Sequence, residues 1–204
     1  GAVYAAFLSG FSYINARPAE NSEAKISKTL AYALLLTLPL LTFMCSLSKP
    51  LVFLLLSSKY KLAPFYLSLS TSGLALLVLG RLLATVFTAK ARTVKVMKFY
   101  FVTAVAQLVA LLLMVPTFGA IGTIVATFIV GGAVLSLAFA YATEKDLKIR
   151  IDSRKIAKIY FANVMLGIVL LAGNLIKGNL LEIAYGLLIS FLIYPPLLGL
   201  LKIV

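Results

Sequence analysis

The chain has 204 residues, of which 62% are hydrophobic and only 12% are charged, and its formal net charge is +13. A soluble domain carries roughly 45–50% apolar and about 25% charged residues. Because too little polar sequence is present to coat a water-soluble core, the composition predicts an all-α, polytopic transmembrane helix bundle. The basic residues lie between apolar runs, so we interpret them as loop charge that orients a membrane protein, and nucleic acid is not an expected partner.

The elements follow from the lengths of the apolar runs. Residues 1–13 are apolar but too short to span a membrane, and no basic residues precede them as in a signal peptide. We therefore expect the end of a truncated helix, with the chain being a fragment of a longer protein. A bilayer core of about 30 Å needs about 20 apolar residues in a helix. Six candidate spans meet this need approximately, at 30–48, 65–88, 99–115, 119–141, 159–175 and 180–201.

Proline and glycine punctuate these spans. Pro39 lies in the middle of the first span, and Pro195 and Pro196 lie in the last. Proline removes a helical hydrogen bond and kinks the helix, and such kinks occur both in transporters and in static membrane proteins. The run "KPLVFLLLSSKYK" after the first span is too short to cross again, so we expect it to lie at the outer interface.

The stretch "MVPTFGAIG" interrupts the apolar sequence between the third and fourth spans. Pro116 and Gly119 disfavour helix there, so the pattern predicts a short uncharged turn that joins 99–115 and 119–141 as an antiparallel hairpin. Small residues then recur at intervals typical of one helix face, which in lipid allows helices to approach closely. These residues are Gly119, Gly122, Ala126 and Ala133.

Lysine and arginine are distributed unevenly between alternate loops. Fourteen of the nineteen lie in loops 14–29, 89–98 and 142–158 or after the last span, and only four lie in the intervening loops. Some of these lysines could instead cap helix C-termini, but capping alone would not place most of the cations on one side of the membrane. The positive-inside rule therefore predicts that these three loops and the C-terminus are cytoplasmic, in a multi-pass protein of the cell membrane.

The sequence carries few residues suited to catalysis. It contains one cysteine and no histidine, and its six acidic residues lie outside the centres of the predicted spans. An internal disulfide and a His-ligated metal are excluded for this chain, and no paired carboxylates or phosphate-binding loop is visible. We therefore expect no metal, no cofactor and no enzyme activity.

Arg81 is the one cation within a predicted span, nine residues before Lys90 and so roughly 13 Å from it along a helix. A guanidinium at this depth needs a partner or a wet cavity, and its geometry suits phosphate. The alternatives are an arginine that reaches the interface and one that bonds backbone carbonyls. Gln107 and Asn163 are lesser candidates for substrate binding, since such residues could line a cavity but more often form an interhelical hydrogen bond.

Two stretches resemble the polysaccharide flippases, which belong to the superfamily that includes multidrug and toxin extrusion transporters. "LLLTLPLLTFMCSLSKPLVFLLLSSKYKLA" is similar to the family's ninth helix and the segment after it. "TAKARTVKVMKFYFVTAVAQLVALLLMVPTFGAIGTIVAT" is similar to the next stretch, which contains a Pro-x-x-Gly-Ala-x-Gly turn followed by Ala-Thr. The resemblance is specific over about 30–130. It departs where Ser57 and Ser58 precede Tyr60 in place of the usual glycine, and in lacking a proline near Phe11.

This resemblance implies a two-lobe transporter of twelve or fourteen helices that moves lipid-linked oligosaccharides across the cytoplasmic membrane by alternating access. The chain would be one transmembrane domain, 1–204, with a best-matching core at 30–141 and two terminal spans at 159–201. Its partners would be the lipid-linked glycan, the bilayer and a missing N-terminal lobe of the same protein. Two other functions stay open, namely a multidrug or small-solute exporter of the same superfamily and a non-transporting membrane scaffold subunit.

Overall fold

The computed structural model describes residues 10, 22–56, 59–147, 152–172 and 179–200, which form helices joined by short turns with no β-strand among them. The predicted all-α class is therefore confirmed for this part of the chain, whereas the truncated helix at 1–13 lies outside it apart from Gly10. A π-helical segment, Val125–Val130, lies between α5 and α6. The α-helices are α1 (Ser22–Ser46), α2 (Ser48–Leu55), α3 (Ala63–Ala89), α4 (Thr93–Phe118), α5 (Ala120–Ile124), α6 (Gly131–Leu147), α7 (Ser153–Ala172) and α8 (Asn179–Leu200).

Four helical stretches are long and apolar enough to cross a membrane, which indicates a membrane-embedded protein. They coincide with the first four predicted spans. α7 and α8 occupy the last two predicted spans, but α8 contributes only a shorter apolar stretch, Ile183–Gly199, so the count of six stays a prediction. The four stretches are Lys25–Ser46, Ala63–Ala89, Thr93–Phe118 and Ala120–Leu147.

α4 directs its large apolar side chains outward. Phe101, Leu112 and Leu113 are each more than two thirds exposed, whereas the positions that α4 buries are Thr103 and Ala110. A helix on a water-soluble protein has the opposite arrangement, with apolar residues inward and polar residues outward. Hydrocarbon covers such a surface without penalty, so the arrangement supports a lipid-facing helix.

α4 pairs with the following helical stretch in an antiparallel hairpin, as the sequence predicts. Contacts between the two arms run in opposite order along the chain. From the turn outward they join Met114 with Gly122, Gln107 with Thr127, Phe99 with Phe139, and Lys95 with Asp146. The uncharged turn therefore lies at one end of the hairpin and the charged residues lie at the other.

The turn itself differs from the prediction, because α4 does not end at residue 115. It continues through Pro116 to Phe118, and Gly119 alone reverses the chain with φ 55° and ψ −128°. Proline so close to a helix C-terminus removes one bond from the last turns, and the amide of Gly119 still bonds the carbonyl of Val115. A positive φ suits glycine because it has no Cβ.

The predicted face of small residues is altered by the same turn. Gly119 lies at the reversal, where a Cβ would meet nothing within 4 Å, so it takes no part in helix packing. Gly122 and Ala126 are buried as a packing face requires. The π-helical segment then changes the phase of the helix, so Gly131 and Gly132 are buried while Ala133 is only half-buried.

The chain divides into two compact units. The first comprises Gly1–Leu34 and Gly73–Asp152, and the second comprises Leu35–Ser72 and Ser153–Val204. The prediction of one transmembrane domain stays a prediction. In the first unit α3 runs parallel to the stretch from α5 to α6, with glycines at the contacts, which are Gly73 with Phe128, Gly132 with Leu77, and Gly80 with Ser136.

The second unit packs the C-terminal part of α1 against α7 and α8. Gly186 of α8 lies against Leu47, and Gly167 of α7 lies against Thr42, where an added Cβ would meet Cγ2 at 3.3 Å. Ser46 donates a 3.4 Å hydrogen bond to the carbonyl of Gly167. Glycines thus lie at the contacts of α7 and α8, and at Gly167 the approach is close enough for a backbone carbonyl to accept a side-chain hydrogen bond.

Candidate functional site

Arg81 lies on α3 with its side chain exposed. Among the residues that the structure describes, its guanidinium has neither a hydrogen-bond partner nor an ion-pair partner. Leu76 is the midpoint of α3, and Arg81 lies five residues beyond it, about 7.5 Å along the axis. If the bilayer is centred on the helix, Arg81 is well inside a hydrocarbon core whose half-thickness is about 15 Å.

Arg81 and the exposed Leu76 lie on different sides of α3. Leu76 is 40% exposed, and five residues of α-helix turn Arg81 about 140° away from it. Thr85 and Thr88 follow one and two turns after Arg81 on its own side, and their hydroxyls donate to the carbonyls of Arg81 and Ala84 at 2.9 and 3.0 Å. Arg81 is thus exposed on a different side of α3 from Leu76, with two hydroxyls of its own side bonded to backbone carbonyls.

Ser136 fixes the backbone immediately before Arg81. Its hydroxyl donates to the carbonyl of Leu76 at 2.6 Å and accepts from the amide of Gly80 at 3.0 Å. These two backbone groups would bond each other in an uninterrupted α-helix, so Ser136 enters the hydrogen-bond ladder of α3. Gly80 is needed for this approach, because a Cβ there would lie 2.9 Å from the backbone nitrogen of Ser136.

Gln107 is occupied by the π-helical segment. The amide of Gly131 bonds the carbonyls of Ala126 and Phe128, which leaves the carbonyl of Thr127 without its usual helical donor. Nε2 of Gln107 donates to that carbonyl at 2.9 Å, and its amide group lies against Gly131, where an added Cβ would overlap it. The contact corresponds to the interhelical alternative for Gln107 in the sequence.

Asn163 lies in a buried polar cluster of the second unit and is only 5% exposed. Its Nδ2 donates to the carbonyl of Ile159 at 2.8 Å and to the hydroxyl of Tyr194 at 3.3 Å. Its Oδ1 accepts from the hydroxyl of Thr42 at 3.4 Å. The cluster joins α1, α7 and α8, so both ends of the Asn163 amide are engaged within the protein.

A charged cluster closes the end of the hairpin opposite Gly119. Lys95 forms a 2.7 Å ion pair with Asp146, and Nη1 of Arg92 donates to the backbone carbonyl of Asp146 at 3.0 Å. Ala91 precedes Arg92 with φ 55°. Arg92 and Lys95, from one loop that the charge pattern assigns to the cytoplasmic side, therefore meet Asp146, from another, at one end of the first unit.

The structure thus separates the predicted site residues by what they contact. Gln107 and Asn163 bond protein groups, whereas Arg81 alone of the three is left exposed. Ser136 and Tyr194 were not predicted, because serine and tyrosine are ordinary residues in membrane helices. The signal that points to Tyr194 is its position inside an apolar run, directly before Pro195 and Pro196.

The described residues contain no group of three or more His, Cys, Asp or Glu side chains that could hold a metal ion. No protein-family model matches the chain, and neither a curated protein nor a solved structure matches it.

Proposed function

We propose that this chain is the C-terminal half of a flippase that moves lipid-linked oligosaccharide or polysaccharide precursors across the cell membrane by alternating access. The order of motifs over 30–130 supports this proposal through its resemblance to that family. Long apolar helices and one charged hairpin end are compatible with it. In this proposal loops 14–29, 89–98 and 142–158 face the cytoplasm, and an N-terminal lobe completes the pathway.

The observation that carries the proposal is the exposed guanidinium of Arg81 within an apolar 27-residue helix. An arginine at this depth is unfavourable unless it meets a counter-charge, carbonyls or water. The substrate class carries a pyrophosphate between lipid and sugar, and a planar guanidinium binds phosphate oxygens through two parallel hydrogen bonds. We assign to Arg81 the role of binding this anionic group during transfer, on the side of α3 away from Leu76.

The test measures flipping by the full-length protein in vesicles that contain a fluorescent lipid-linked oligosaccharide. A membrane-impermeant quencher reports the fraction of substrate that changes leaflet. Hydrogen bonds to charged groups contribute about 1.5–3 kcal/mol, so we expect Arg81→Ala to slow flipping about 10- to 100-fold. Arg81→Lys retains the charge but loses bidentate geometry, and we expect an intermediate rate.

Arg154 provides a matched control, because it is also an exposed arginine but lies at the start of α7. Arg154→Ala removes the same charge and is expected to flip substrate at the unaltered rate. All variants are compared at equal amounts of membrane-inserted protein. If Arg81→Ala flips as fast as the unaltered protein, Arg81 has no role in substrate transfer.

A further inference from the structure

Pro39 leaves one backbone carbonyl of α1 without its helical donor. Proline has no N–H, so the carbonyl four residues earlier, that of Leu35, loses its intrahelical hydrogen bond. In a membrane no bulk water is present to replace that bond, and an unsatisfied carbonyl is unfavourable. The position of the partner that replaces it therefore affects how α1 bends at Pro39.

The hydroxyl of Tyr194, on α8, takes the place of the missing donor. It donates to the carbonyl of Leu35 at 3.3 Å, and it accepts from Nδ2 of Asn163 at 3.3 Å. Asn163 is anchored in turn by its 2.8 Å bond to Ile159. Tyr194 is 9% exposed, so the bond lies inside the second unit, and one hydroxyl links α8 to the free carbonyl of α1.

Both bonds to this hydroxyl are long, because O–H···O bonds usually measure about 2.7–2.8 Å and N–H···O bonds about 2.9–3.0 Å. A long bond is weaker and is broken more easily than the intrahelical bond it replaces. Interhelical hydrogen bonds in a membrane contribute about 0.6 kcal/mol on average. That free energy corresponds to a factor of about three in an equilibrium constant, which is small enough for both states to be populated.

We propose that the hydroxyl of Tyr194 is a detachable cap on the carbonyl of Leu35, and that its release lets α1 bend at Pro39. While the cap is bonded, α1 keeps the path seen in the structure. When the hydroxyl moves away, the carbonyl of Leu35 is free to tilt outward. α1 is then no longer held at one bend angle at Pro39. Asn163 acts as a positioning residue that keeps the hydroxyl directed at α1. This role is independent of the substrate.

The test measures a distance along α1 by pulsed electron paramagnetic resonance on the full-length protein in lipid nanodiscs. Spin labels replace Lys28 and Met44, which are exposed on either side of Pro39 and lie 16 residues, or about 24 Å, apart along a helix. The substitution Cys45→Ser removes the native thiol and replaces it with a hydroxyl that can still bond Ser68. We expect Tyr194→Phe to broaden the distribution and to raise the population outside the main peak about threefold.

Two controls distinguish the cap from general packing. In a Pro39→Ala background the amide of residue 39 bonds the carbonyl of Leu35, so Tyr194→Phe should leave the distribution unchanged. Tyr185→Phe removes a hydroxyl from another tyrosine of α8 and should also have no effect. The proposal is overturned if Tyr194→Phe leaves the distribution unchanged with Pro39 present, or if it broadens the distribution equally with Pro39→Ala.

Discussion

Replacing Gly131 by alanine tests how the π-helical segment is held. A Cβ on Gly131 would overlap Nε2 and Cδ of Gln107, which are the end of a flexible side chain and not backbone. The side chain is therefore expected to move away, at the loss of its 2.9 Å hydrogen bond to Thr127. Such interhelical bonds in membranes contribute about 0.6 kcal/mol on average and up to about 1.7 kcal/mol. We therefore expect Gly131→Ala to lower the free energy of unfolding by about 0.6–1.7 kcal/mol.

The assay is a double-mutant cycle with Gln107→Ala, measured by reversible unfolding of the purified protein in mixed detergent micelles. Gln107→Ala breaks the same bond, so adding Gly131→Ala should cause no further loss of stability. The coupling free energy of the cycle should therefore equal in size the loss of stability that Gly131→Ala causes alone. Gly199→Ala is the control, because a Cβ there meets nothing within 4 Å. Additivity of the two changes within about 0.3–0.5 kcal/mol would refute the account of the π-helical segment.

Two further predictions concern the charged end of the hairpin. Ala91 follows α3 with φ 55°, and the amides of Ala91 and Arg92 bond the carbonyls of Thr88 and Phe87, a helix ending that usually has glycine at this position. Ala91→Gly should raise stability in the same unfolding assay by about 0.5–1 kcal/mol, whereas Ala89→Gly, at the last residue of α3, should not raise it. Single cysteines at Lys98 and Glu144 should react with a membrane-impermeant maleimide from the same side of sealed vesicles, and a cysteine at Phe118 from the other. Labelling of the cysteines at positions 98 and 144 from opposite sides of the membrane would contradict the hairpin. Labelling of the same variants in detergent checks that each cysteine can react with the maleimide.

The sequence was sufficient to locate the apolar helices but not their ends. The prediction 65–88 lies within one or two residues of α3, because both of its ends coincide with a change from apolar to polar sequence. The prediction 99–115 omits six residues at the start of α4, where Lys95 and Lys98 were assigned to the loop. Charged residues are compatible with helix beyond the hydrocarbon core, so hydropathy marks the part of a helix that lies in lipid and underestimates its length.

The contacts of the candidate site could be predicted only in part. Arg81 is conspicuous in the sequence because it is a charge within an apolar run. The partners of Gln107 and Asn163 depend on the register between helices, which the spacing within one helix does not determine. The π-helical segment likewise leaves no clear signal, because Val125–Val130 is apolar and resembles the rest of the span.

Three polar side chains within the described helices bond irregular backbone. Tyr194 bonds the carbonyl that Pro39 leaves free, Gln107 bonds the carbonyl that the π-helical segment leaves free, and Ser136 bonds both backbone groups that it separates in α3. Each arrangement satisfies a group that hydrocarbon cannot solvate. Arg81 has five donors and, among the described residues, no acceptor for any of them. Under the proposed function, the acceptor for this exposed guanidinium would come from outside the chain, as the anionic group of the substrate.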